Sequence, residues 1–161
     1  MLRTIRFTTL VVSLLAATAA AKPAHAKWPP WLSIETPVNP FDASARGAIC
    51  LVHAATHDGP PDISALTGTA EGLVGGARRS IPLKLESTSR PGVFAVRKQW
   101  PSEGAWVLKI SLFSTTAIVA LDRNDNVASV RIPTMLAEGR PIPRAVMARD
   151  IDSTLSVASA H

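Results

Sequence analysis

The chain has 161 residues, 17 basic against 12 acidic, and 47% hydrophobic residues. Its single cysteine excludes an internal disulfide. Three of the basic residues, Arg3, Arg6 and Lys22, fall in an expected leader, so the rest carries 14 basic against 12 acidic, a net charge of only +2. That is no electrostatic footprint for nucleic acid.

The amino terminus, "MLRTIRFTTLVVSLLAATAAAKPAHA", places Arg3 and Arg6 before an apolar run from Phe7 to Ala21 and a small-residue exit. This is the plan of a secretory signal peptide, expected over 1–26 and cut after Ala26. The run is short for a membrane span, which needs roughly 18–20 residues. The expectation is an exported protein, periplasmic or extracellular, with no stable membrane anchor after cleavage. "AHAKW" is similar to exported CopC-like copper proteins that begin on a chelating histidine. Starting at His25, however, would put Lys22 where the signal peptidase wants a small residue.

Beyond the leader, the chain divides into an expected β-sandwich domain at 27–135 and a Pro- and Gly-containing segment at 136–161. The entry "KWPPW" supplies Trp28 and Trp31, candidates for surface contact or for straps over the core. Next comes "ICLVHAATHDG", with Cys50 three residues before His53 and seven before His57. As a helix capped by Asp42 and ended by Gly59, it would align Cys50, His53 and His57 on one face, a candidate copper or zinc site. Cu(I), Cu(II) and Zn(II) suit such ligands. As a strand, it sends Cys50 to the face opposite His53 and holds the two histidines about 13 Å apart, too far to share an ion easily. Gly47 and the strand-rich neighbourhood favour the strand. Cys50 then reads as a buried apolar side chain, and His57-Asp58-Gly59 begins a turn.

"LTGTAEGLVGGARRSIPLKLE" reads as a hairpin about Gly75-Gly76, pairing Val74 with Ala77, Ala70 with Ile81 and Leu66 with Leu85. Leu66, Ala70, Val74, Ile81, Leu83 and Leu85 would face inward, and Pro82 marks either an edge strand or a non-bonding position. "GVFAVRKQWPSEGAWVLKISLF" reads as a second hairpin, with Trp100 opposite Trp106 and both in the core rather than forming a sugar-stacking platform. The pairs Arg78-Arg79 and Arg97-Lys98 read as solvated strand positions. A third hairpin joins 117–121 to 127–132. Its turn, "DRNDN", opens like a calcium loop but has Val127 where glycine is needed and Pro133 where the bidentate glutamate belongs. Last, "DIDSTLSVASA" is a candidate short helix at 150–160, with Asp150 as N-cap and a stripe of Ile151, Leu155 and Ala158.

The block "GTAEGLVGGARRSIPLKLESTSRPGVFAVRKQWPSEGAWVLKISL" resembles the YtkA-like or FixH-like group of exported immunoglobulin-like sandwiches. The likeness lies in Gly92-Val93-Phe94 and Gly104-Ala105-Trp106, and covers about a third of the mature chain. It implies an all-β, immunoglobulin-like sandwich of about seven strands, here with a short C-terminal helix, and a role as an accessory or binding module of the cell envelope. It carries over no functional residue, because fold does not imply function.

Motifs for catalysis are missing. There is no G-x-S-x-G, H-E-x-x-H, C-x-x-C or P-loop. The imidazoles beyond the leader are His53, His57 and His161. The expected function is therefore non-catalytic and cofactor-free, acting on an envelope protein through the surface. The alternative is a copper- or zinc-binding accessory protein using Cys50, His53 and His57.

Overall fold

The computed structural model describes residues 29–160. The expected leader at 1–26, the cleavage site, Lys27, Trp28 and His161 lie outside the described residues.

Within them, period-two alternation folds into two facing antiparallel sheets. One contains β1 (Trp31–Glu35), β2 (Cys50–Ala55), β6 (Val93–Val96) and β5 (Leu85–Ser87), in that spatial order. The other runs β4 (Ala77–Pro82), β3 (Leu66–Val74), β7 (Ala105–Leu112), β8 (Thr115–Leu121) and β9 (Val127–Arg131). A separate hairpin, β10 (Thr134–Ala137) with β11 (Arg140–Pro143), leads to helix α1 (Ala148–Ala160). The expected all-β sandwich with one short C-terminal helix is what forms. The described residues form eleven strands, nine of them in the two facing sheets, rather than about seven, because short crossing pieces and the segment after Pro133 also pair.

The core lies between the sheets. It is built from Leu32, Cys50, Val52 and Phe94 on one side and Ala70, Trp106, Leu108, Ile110 and Val119 on the other. The outer faces are covered too. Helix α1 lays Ile151 and Leu155 on Val107 and Ile118, while the loop between β1 and β2 lays Ala45 over Leu51, Val93 and Ala95.

Two expected pairings are corrected. The Gly75-Gly76 hairpin forms in the expected register, Val74 to Ala77 and Ala70 to Ile81, but the ladder stops at Pro82 and Leu66 pairs with Leu112 instead of Leu85. Pro82 brings no donor to the ladder; one residue later the Leu83 N–H donates to the Gly68 carbonyl at 2.9 Å, and the chain crosses to the other sheet as β5. Likewise, β6 and β7 are not hairpin partners. The stretch between them passes from one sheet to the other, so Trp106 faces Gly72 and not Trp100. Every side chain expected to face inward in these two stretches still does so. A crossing between facing sheets and a hairpin within one sheet bury the same alternate residues.

The third hairpin pairs Ile118 with Arg131 and Val119 with Val130, with a bulge beside Ala120. The stripe of α1 also stands, Ile151, Leu155 and Ala158 being buried. Asp150, however, is not the N-cap. The helix starts at Ala148, and the Asp150 carboxylate reaches back to accept from the Met147 N–H at 2.8 Å. That is the reciprocal half of a capping box.

Candidate functional site

Residues 50–55 form a strand, and this separates the three candidate ligands. Cys50 lies wholly in the core, where burial pushes its thiol up to about 12. His53 takes the opposite face, over Ser33 of β1 and Val93 of β6. His57 is exposed in the turn that closes Thr56 on Gly59. Cys50, His53 and His57 are therefore not brought together. Among the described residues no group of three or more His, Cys, Asp or Glu side chains is placed to hold a metal ion.

His53 has another partner. Its Nε2 lies 2.6 Å from Glu35 Oε2, which also accepts from Arg90 Nη2 at 3.3 Å. Arg90 Nε faces Asp42 Oδ2 at 3.6 Å. The Ser44 hydroxyl donates to Asp42 at 2.7 Å and, with the Ser44 N–H and the Arg90 charge, holds that carboxyl below the usual range. Arg97 reaches the carbonyls of Arg46 and Ser44 and pairs with Glu86. The cluster thus ties the β1–β2 loop to the sheet beneath. Its Ser44 hydroxyl and its His53 imidazole serve different carboxylates, and together they stitch the loop down.

The tryptophans expected in the core are there, and the exposed apolar groups lie elsewhere. Trp100 and Trp106 are nearly buried, with their indole N–H groups donating to Asp125 Oδ1 and the Glu103 carbonyl, both at 2.8 Å. Trp31 stays largely exposed, as do Met135 and Leu136 of the β10–β11 hairpin. In "DRNDN" the Asp122 carboxylate accepts from the Asn124 and Asn126 N–H groups at 2.8 Å each, forming a closed turn. Arg78 pairs with Asp152 of α1, tying the helix to the β4 edge.

One end of the sandwich carries a feature that strand patterning alone did not single out. Pro29, Pro30, Thr56, His57, Asp58, Phe113 and Ser114 line a cleft of about 370 Å³. One wall is fixed by the Thr115 hydroxyl, which donates to the Pro30 carbonyl at 2.7 Å. Thr56 braces another by donating to the Gly59 carbonyl at 2.9 Å. Between them stands Phe113, first residue of the two-residue turn joining β7 to β8, with φ at +50° and 68% of its surface exposed. A bulky residue rarely holds that backbone conformation, and this one gains little burial from it. The signal in the sequence was "LFST", an aromatic residue where a tight hairpin turn favours glycine, asparagine or aspartate.

Among the described residues no helix is long and apolar enough to cross a membrane. No protein-family model matches the chain, nor does any curated protein or solved structure.

Proposed function

We propose that this chain is an exported, immunoglobulin-like and non-catalytic binding module of the cell envelope, which recognises a protein partner at the Phe113 end of its sandwich. The observation that carries this reading is Phe113 itself, a large apolar side chain held in a strained turn and offered to solvent beside two prolines. Strain of this kind gathers where a side chain must be presented rather than packed. Aromatic anchors beside a preformed apolar cleft are the usual centre of a protein interface. The leader-like amino terminus supports export, and the two facing sheets agree with the immunoglobulin-like resemblance. The polar clusters serve the fold, which favours binding over catalysis.

A photo-crosslinking residue at position 113, expressed in the source envelope, tests the reading. A discrete adduct at 113, absent with the same probe at Arg79 on the β4 edge, is the expected result. No adduct at 113, or the same adducts at both positions, removes Phe113 as the recognition element. Recovery of the chain from the cytoplasm with residues 1–26 intact would remove export.

A further inference from the structure

We propose that β9 pairs antiparallel with β9 of a second copy of this chain, about a two-fold axis at Val130, joining the two five-stranded sheets into one. The proposal stands on a comparison of the four edges of the two facing sheets. β4 is guarded by Arg78 and Arg79 and ends on Pro82, so self-pairing there would bring like charges together. β5 is only three residues long. β1 lies between Pro29-Pro30 and Pro37, which limit any longer ladder. β9, Val-Ala-Ser-Val-Arg, has no proline and one charge, and from Ala128 to Arg131 it is exposed. Its guards are the bulge at Ala128, the single charge of Arg131 and Pro133 two residues beyond, which leave Ser129, Val130 and Arg131 as the stretch whose backbone groups another strand can meet.

Packing points to the same strand. β1 packs against β8, one strand in from the edge, so β9 overhangs the facing sheet. Val130 is the cross-strand partner of the buried core residue Val119 and shares its inward face, yet it remains 42% exposed. A second copy supplies the missing cover.

Register identifies the axis. The bulge takes Ala128 out of the pairing, leaving Val130 inward and Ser129 and Arg131 outward. Cross-strand partners must share a face. An axis on Val130 sets it against the partner's Val130 and places Ser129 opposite the partner's Arg131. An axis on Ser129 would oppose an inward Val127 to an outward arginine. The favoured register pairs apolar with apolar and avoids placing arginine opposite arginine. Arg131 is already drawn over the helix, donating to the Asp150 carbonyl at 3.0 Å and to the Thr154 hydroxyl at 3.3 Å. Such an interface is isologous and closes at two copies.

Sedimentation of the purified mature chain over a micromolar to submillimolar range tests this, with Val130→Lys and Val130→Cys beside it. The expected results are a reversible dimer, at least a tenfold weaker dimer for Val130→Lys with unchanged circular dichroism and melting, and rapid oxidation of Val130→Cys to a covalent dimer. Ser80→Cys on the β4 edge should stay monomeric under the same oxidant, and the native Cys50 is buried. A monomer throughout the range, including one that instead takes up a foreign peptide along β9, overturns self-pairing. So does a dimer that Val130→Lys leaves intact and Val130→Cys fails to cross-link.

Discussion

The Trp106 ring lies over Gly72, its cross-strand partner, so closely that a Cβ on Gly72 would stand 2.5 Å from ring carbons Cε3 and Cζ3. The absence of a side chain in the middle of β3 is what admits the indole to the core. Gly72→Ala is expected to destabilise the fold by about 1–3 kcal/mol, the usual range for overpacking. Urea unfolding of the two proteins measures it. An unchanged midpoint would mean that the ring slides aside without loss.

Asp125 sits in the left-handed region at φ +62° and ties the β8–β9 turn to the stretch between β6 and β7. It accepts from Trp100 Nε1 at 2.8 Å and from Lys98 Nζ at 2.6 Å. Asp125→Ala leaves a nearly buried indole N–H without its acceptor and puts a less tolerant residue at positive φ. A loss of about 2 kcal/mol is expected. Asp125→Asn keeps the amide oxygen and the tolerance of left-handed backbone, so it should lose less than half as much. Equal losses would show that the ion pair with Lys98, not the indole bond, is what stabilises.

These two positions also show what was legible in the sequence. The inward faces of β3, β6 and β7 were readable because alternation reports which side chains leave water. Their neighbours were not, because Leu85 and Trp100 meet the same burial requirement from the opposite sheet as they would from an adjacent strand. The closed turn at Asp122 was readable from its Asp and Asn residues, whereas the bond from Asp125 to Trp100 joins residues far apart in sequence. At the candidate site, placing residues 50–55 in a strand was enough to part Cys50 from His53. Phe113 escaped because the signal in "LFST" exists only once β7 and β8 are known to pair with just two residues between them, which fixes the positive φ at that position.

Cys50 should be chemically silent in the folded protein. With the thiol at about 12, only about one molecule in 10⁴ carries a thiolate at pH 8. Full burial also denies access to reagent. Ellman's reagent is expected to react at the rate of unfolding, accelerating in urea along with the loss of structure. Stoichiometric labelling within seconds in native buffer would contradict the core placement.

Acid should weaken the seating of α1. Two hydrogen bonds from Arg144 at 2.7 Å, chiefly, and the Met147 N–H at 2.8 Å hold the Asp150 carboxyl well below its ordinary value. A carboxylate depressed on folding contributes stability that is fully present above its unfolded value, about 3.9, and is lost as pH falls through the folded one. Melting temperatures from pH 7 down to pH 2 should therefore show Asp150→Asn below wild type near neutrality, with the gap closing below about pH 4. A gap that stays constant into acid would mean that the contact acts by packing alone.

Phe113→Gly separates presentation from stability. In the two-residue β7–β8 turn the first position has positive φ, where glycine is favoured and an L side chain costs about 1–2 kcal/mol. Little is lost with the ring, since most of its surface is already in water. Glycine's greater freedom in the unfolded chain offsets up to about 1 kcal/mol of the gain. The variant is expected to be as stable as wild type or more so, by up to about 1 kcal/mol, with a melting temperature unchanged or up to a few degrees higher. If Phe113 is the recognition element, the same variant should lose the partner while keeping the fold. A variant that melts well below wild type would show that the ring packs against the cleft and supports the turn, which would remove the argument that its strain serves binding.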